Sequence, residues 1–207
     1  MSRIKGKQIE EADLIWALEK TSHQAQRAGQ IIHRIRSFVK RSEPNRTPSS
    51  VVNMVNEAVE LAEIELRRRN VRLSHYVAAR LPQLSVDPIL IEQVLINLMK
   101  NAAESIDNAE RPIGRRHVEL RVVPKVLDTQ NTVHFSVTDT GKGLPPQVME
   151  RLYEAFFSTK DEGMGIGLNL CRTIVESHLG RITAENLYNA DEVVGCCFSF
   201  WIPVTAN

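Results

Sequence analysis

No apolar run in the 207 residues approaches the length of a membrane span, and Met1-Ser-Arg-Ile-Lys has no apolar signal core behind it. The segment is therefore expected in the cytoplasm, without membrane contact of its own. Cysteine is scarce: there are three, two of them adjacent (Cys196, Cys197), and no Cys-x-x-Cys. That pattern fits a reducing compartment better than a disulfide framework or a zinc site. Cys171, at an apolar helical position, reads as a small buried hydrophobe. An excess of one charge is also lacking. A net charge of +1 supplies no field that would gather nucleic acid, a membrane surface or an acidic substrate. Internal repeats and low-complexity stretches are absent, and His75, His117, His134 and His178 are scattered without metal-ligand spacing. What is present, 43% hydrophobic and 25% charged residues, suits one or two globular domains with a real core.

The most informative stretch is Val137-Thr-Asp139-Thr-Gly141-Lys-Gly143-Leu144, taken with Gly163-Met164-Gly165-Ile166-Gly167-Leu168 some twenty residues later. Val133, Phe135 and Val137 alternate with polar residues and predict a strand ending at Asp139. An ionised carboxylate accepts only, so at a strand end it can take a hydrogen bond from an exocyclic amine such as that of adenine. Gly141 and Gly143 admit positive φ and let the backbone approach a flat ring closely. The second run opens a helical pattern of Ile166, Leu170 and Ile174. Glycines there leave unpaired N–H groups and the positive end of the helix facing outward, a phosphate site. Either run alone is as well explained by a turn; together they describe a nucleotide pocket.

Around this stretch the chain divides in two. From residue 10 to 40, Leu14, Leu18, Thr21, Ala25, Ala28, Ile32, Ile35 and Val39 recur at steps of four and three, the seam of a long coiled-coil-like helix. Such a stripe predicts a homodimer. His23 and His33 lie off it and read as solvated helix residues. Pro44 and Pro48 end the helix, so residues 1–43 are expected as a dimerisation helix, 44–49 as a linker and 50–207 as the nucleotide domain. Ser49 or Ser50 caps a second helix to about Arg69, with Val52, Val55, Val59, Ala62 and Leu66 inward. Arg67, Arg68 and Arg69 suit its negative end. Strands are expected at residues 71–76, 84–86, 117–123, 132–138, 181–185 and 196–203, with a short helix at 146–153. Asp87-Pro88 starts another helix, running to about Ile106. Its edge carries Asn97, Asn101 and Ser105 at i, i+4 spacing, and asparagine is a poor interior helix residue, so the pair suggests cation binding.

These motifs closely resemble, in order, the four boxes of the ATP-binding domain of bacterial sensor histidine kinases. Asn97-Leu-Met-Lys-Asn101-Ala102 resembles the N box and Asp139-Thr-Gly141-Lys-Gly143 the first glycine box. Phe156-Phe157-Ser-Thr159-Lys160 resembles the phenylalanine box and Gly163-Met-Gly165-Ile-Gly167-Leu168 the second glycine box. The short gap from Lys160 to Gly163 is similar to that of nitrogen-regulation and oxygen-sensing nitrogen-fixation kinases, and residues 27–38 resemble the second helix of their dimerisation domain. The resemblance implies an α/β (α+β) two-layer sandwich of the Bergerat type, with helices on one face of a mixed, mostly antiparallel sheet. It implies ATP and Mg2+ as cofactors and a response-regulator receiver domain as partner, without nucleic acid. In that scheme Asp139 binds the adenine amine, Gly141, Gly143 and Leu144 shape the pocket, and Asn101 ligates magnesium. Phe157 lines the pocket, Thr159, Lys160 and the backbone of residues 163–168 hold the phosphates, and Asn97 is a polar support.

The resemblance also sets limits. Related ATPases of the gyrase and chaperone type carry a water-activating glutamate four residues before the magnesium asparagine; here that place is Asn97. An amide cannot take a proton from water at neutral pH, which favours transfer to a protein nucleophile. The phosphoacceptor of the kinases is a histidine followed by an acidic residue and then a proline, and neither His23 nor His33 has that setting. The acceptor is expected outside the chain, so that the chain alone lacks autophosphorylation. Two alternatives share the pocket: a docking and dephosphorylating fragment without turnover, and a Ser/Thr kinase of the anti-sigma type. A heptad helix directly before the nucleotide domain argues against the latter.

Overall fold

The computed structural model describes residues 44–205 except 128 and 161–164, together with Leu18 and Thr21. The chain separates into two units, Met1–Ser42 and Glu43–Asn207. In the first, Leu18 and Thr21 are helical and exposed; the rest of the heptad seam, His23 and His33 lie outside the described residues.

In the second unit the expected linker is partly structured. Thr47–Ser49 forms strand β1, paired antiparallel with Leu84–Val86 (β3). The Asn45 N–H donates to Asp87 Oδ2 at 3.3 Å, so the chain is tied down from its first described turn. Helix α1 (Val51–Arg68) is capped by Ser50, whose hydroxyl accepts from the Asn53 N–H. It buries Val51, Met54, Val55, Ala58, Val59, Ala62 and Leu66. Val52 was expected inward but is 45% exposed, because the buried stripe follows steps of three and four from Val51. Helix α2 (Pro88–Asp107) starts as Asp87-Pro88 predicts, with the Asp87 carboxylate accepting from the Leu90 N–H. It buries Ile91, Val94, Leu95, Leu98, Met99, Ala102, Ala103 and Ile106, while Leu90 is only half-buried.

A five-stranded sheet lies beneath the helices in the order β2 (Arg72–Val77), β4 (His117–Leu127), β5 (Gln130–Asp139), β7 (Glu192–Pro203), β6 (Arg181–Asn189). β2 runs parallel to β4 and every other pair is antiparallel, which is the mixed, mostly antiparallel sheet expected. One face of each of the three central strands is buried against α1, α2 and the later helix α4 (Gly167–Ser177): Val118, Leu120 and Val122 on β4, Val133, Phe135 and Val137 on β5, Phe198, Phe200 and Ile202 on β7. Phe135 and Phe200, paired across the β5–β7 ladder, stack with ring centroids 4.5 Å apart. The two hairpins run further than apolar alternation predicts, since ladder hydrogen bonds carry β4–β5 and β6–β7 past the residues the helices cover. A 3-10 turn (Ile113–Arg115) leads into β4, and a short helix α3 (Pro146–Arg151) follows β5. No helix among the described residues is long and apolar enough to cross a membrane.

Candidate nucleotide site

Asp139 extends the inward face of β5 by one more step of two beyond Val137, so strand periodicity buries it, at 2% exposure. Its Oδ1 accepts from the Gly141 N–H at 2.7 Å. Burial pushes its pKa up to about 6, against hydrogen bonds from the Gly141 and Cys196 amides and the Ser105 hydroxyl that favour the charge. Ser105 completes the Asn97, Asn101, Ser105 edge of α2, and its spacing was visible in the sequence; its link to Asp139 was not.

The glycines of the loop serve different ends. Gly143 has φ +71°, and a Cβ there would stand 2.3 Å from Val193 Cγ1. Gly141 does not adopt positive φ; it is required because a Cβ would lie 2.1 Å from Ser105 Oγ. The expectation of positive φ at Gly141 is thus corrected to one of close approach by α2. Gly195 on β7, which sequence reasoning passed over, presses on the Asp139 carbonyl, 1.9 Å from where its Cβ would be. Leu144 packs its side chain against the core. Its peptide is held by Asn186 on β6, another residue with no signal in the local sequence. Arg111 holds the other side of the loop, donating to the carbonyls of Thr140 at 3.0 Å and Gly141 at 3.1 Å.

At the far end of the α2 edge, the Lys160 ammonium lies 3.1 Å from Asn101 Oδ1 and pairs with Glu104. Glu104, three residues from Asn101, was not picked out by the sequence reading, though i, i+3 spacing puts it on the same face. Thr159 is exposed beside Lys160, and Phe157 stacks under the Arg151 guanidinium at 4.3 Å. Phe156 is 75% exposed with φ +67°, its N–H donating to the Gly165 carbonyl. Gly165 has φ +65°, and α4 begins at Gly167 without a side-chain cap, leaving its first amides unclaimed by a side chain. Ile166 is buried and Leu168 packs on the core, so each offers the pocket its backbone alone. Gly163 and Met164 lie outside the described residues.

Asn97 is placed beneath α4. It donates from Nδ2 to Cys171 Sγ at 3.1 Å, and a Cβ on Gly167 would lie 2.9 Å from its Oδ1. Burial pushes the Cys171 thiol up to about 12, so it stays protonated, the small buried hydrophobe expected. Among the described residues no group of three or more His, Cys, Asp or Glu could hold a metal ion. Asn101 Oδ1 accepts from the Lys160 ammonium.

A helix-backed mixed sheet with a buried carboxylate at one strand end, glycines pressed against an asparagine-bearing helix and an uncapped helix start opposite defines a nucleotide-binding sandwich domain. The chain belongs to the histidine kinase-, DNA gyrase B-, and HSP90-like ATPase family, whose profile matches residues 86–206. It is 37% identical over 187 residues to the sensor protein FixL of Bradyrhizobium diazoefficiens, covering 90% of this chain and 35% of that protein. The chain thus spans about a third of the length of that curated relative. The catalytic domain of histidine kinase ThkA aligns with TM-score 0.60 at 29% identity, over 76% of this chain and 95% of the other. ThkA in complex with response regulator protein TrrA aligns over 99% of this chain and 55% of that one, with TM-score 0.70 at 23% identity. Full-length ShkA in complex with AMPPNP aligns over 96% of this chain and 40% of that one, with TM-score 0.74 at 23% identity.

Proposed function

We propose that the folded unit binds ATP with a magnesium ion and transfers the γ-phosphoryl group to a histidine presented by another segment, from which it passes to an aspartate of a response-regulator receiver domain. The observation that carries this reading is the Lys160 ammonium held at Asn101 Oδ1, on the helix edge that also reaches Asp139. Asp139 accepts the adenine amine, and the Gly141 to Leu144 loop, fixed by Asn186 and Arg111, forms the pocket wall. Asn101 holds the magnesium ion, while Thr159, Lys160 and the first amides of α4 hold the phosphates. Magnesium bound with the nucleotide neutralises charge on the phosphate oxygens.

Transfer is favoured over hydrolysis because Asn97, four residues before Asn101, is an amide and cannot take a proton from water. The Asn97 Nδ2 is engaged with Cys171 Sγ at 3.1 Å. FixL and ThkA, named as a sensor and a histidine kinase, support the reaction class; ShkA with AMPPNP supports the nucleotide; ThkA with TrrA supports the partner. The heptad helix is proposed to pair in a homodimer.

The test is incubation with γ-labelled ATP and magnesium, with and without a segment carrying an acceptor histidine. Nucleotide binding without phosphate release, and acid-labile label on the added histidine, are expected. Steady phosphate release by the chain alone, or label on serine, would overturn the reading. Label on His23 or His33 would contradict the placing of the acceptor elsewhere.

A further inference from the structure

Behind the Asp139 loop, at the end of the sheet where α1 and α2 finish, two adjoining clefts of about 470 and 730 Å³ share Asn70, Ile113 and Arg116 as walls. Six arginines line them: Arg68, Arg69, Arg72, Arg111, Arg115 and Arg116. Two carboxylates, Glu65 and Asp107, face the same space, a surplus of four positive charges on a chain whose net charge is +1. The arginines fall into two sets. Arg69, Arg111 and Arg116 are pinned: Arg69 to Glu65 and Asp107, Arg116 to Asp107 and the Arg69 carbonyl, Arg111 to the Thr140 and Gly141 carbonyls. They form a rigid floor, in which Arg116 Nε is buried with no hydrogen-bond partner. Arg68, Arg72 and Arg115 are exposed and have no ion pair among the described residues. In their midst Ile113 stands 77% exposed.

We propose that this surface docks an acidic segment of a partner protein, seating carboxylates on the rim arginines and an apolar side chain on Ile113. Planar guanidinium forks match carboxylates two bonds at a time, and the three rim arginines have theirs free of any carboxylate among the described residues, above a floor fixed by the other three. A small ligand is disfavoured because the rim lies open and would bury little of it. Nucleic acid is disfavoured because Glu65 and Asp107 would repel a phosphate backbone, and the ring that lines the clefts, His117, is half-buried and held by the Ser74 hydroxyl, a poor platform for a stacked base. An apolar residue ringed by arginines is the composition of protein-binding surfaces. None of this depends on the nucleotide chemistry.

The test uses the full chain and a fluorescein-labelled twelve-residue peptide of glutamates with one central leucine, followed by fluorescence anisotropy. Binding should weaken as salt rises, since rim charges are screened. Arg72→Glu with Arg115→Glu should lower affinity at least tenfold, and Ile113→Ser should lower it severalfold. Both should keep the wild-type melting temperature, because none of these side chains makes a contact that holds the fold. Equal peptide affinity in wild type and the double variant would overturn the proposal. So would a single-stranded oligonucleotide of matched charge binding as tightly as the peptide, which would make the surface one for nucleic acid.

Discussion

Asn186 closes on the Leu144 peptide from both edges: its Oδ1 accepts from the Leu144 N–H and its Nδ2 donates to the Leu144 carbonyl, each at 2.8 Å. A side-chain amide here takes the place of a neighbouring strand, because the loop has left the β5 ladder and has no backbone partner on β6. Removing it with Asn186→Ala forfeits two neutral hydrogen bonds, about 1–3 kcal/mol together. Affinity for an ATP analogue should fall with it, whereas Asn189→Ala at the exposed end of the same strand should leave both unchanged. Asn186→Asp should do no better than alanine, since a carboxylate oxygen would then oppose the Leu144 carbonyl. Melting temperatures and analogue titrations of the three variants decide it; an Asp variant as stable as wild type would refute the two-edged contact.

Asp139 makes stability depend on pH in the sense opposite to most native carboxylates. Its folded pKa of about 6 lies above the ordinary value of 3.8, so between these limits the folded state binds more protons than the unfolded one. Its ionisation therefore costs stability: the protein is favoured below about pH 4 and loses that advantage as pH rises through about 6. A shift of this size corresponds to as much as about 3 kcal/mol. Asp139→Asn should melt higher than wild type at pH 8, with the gap closing toward pH 4, yet bind nucleotide poorly. Parallel melting curves for the two proteins across that range would refute the assignment.

His178 works the other way. It is 3% exposed, with Nδ1 within 2.8 Å of the Ile174 carbonyl and Nε2 accepting from the Asp87 N–H at 3.0 Å. This network assigns the proton to Nδ1 and leaves the ring neutral. Burial lowers its pKa below 6.5, the Arg46 charge adds to that, and the Ile174 carbonyl and Asp87 oppose it. The unfolded state then takes up the proton first, so stability is fully present above about pH 6.5 and is lost as pH falls below it. Protonation would also set an N–H against the Asp87 amide at the start of α2. His178→Gln should remove this loss at acid pH and leave the opposite dependence that Asp139 gives. Because Asp139 and His178 oppose each other over the same range, wild-type stability should vary less with pH than that of either variant, as denaturant titrations from pH 4 to 8 would show.

Much of this arrangement was legible before any coordinates. Asp87-Pro88, Ser50 and the alternation from Val133 to Val137 are local signals with local causes, and they fixed α1, α2 and β5 to within a residue or two. The family carries the fold, and the motifs picked out residues that meet along one edge of α2, Lys160 on Asn101 and Asp139 beside Ser105. Contacts made across the sheet stayed hidden. Asn186 and Gly195 matter because of what β5 and its loop bring against them, and nothing within a few residues of either says so. Gly141 was noticed for the wrong reason: its constraint comes from Ser105 on α2, thirty-odd positions earlier in the chain, and not from its own φ. The 47–49 strand was missed because Pro48 reads as a linker, yet an edge strand of three residues tolerates a proline.

Lys160 and the proposed magnesium ion compete for one oxygen. With Lys160 Nζ at 3.1 Å from Asn101 Oδ1 and paired with Glu104, a cation arriving with a triphosphate would have to displace the ammonium, which would then be free for the phosphates. Glu104 sets how firmly the ammonium is held. Both side chains of the pair are about one-third exposed, so their attraction is screened and is on the order of 0.5–1 kcal/mol. Glu104→Gln should therefore tighten binding of a triphosphate analogue in magnesium by roughly two- to fivefold. Lys160→Met should weaken it, because a phosphate partner is lost. In the double variant the gain from Glu104→Gln should vanish, as no ammonium remains to be released; the cycle of four titrations isolates that coupling. If Glu104→Gln instead weakens binding in both backgrounds, the carboxylate is acting on the metal directly and the competition is refuted.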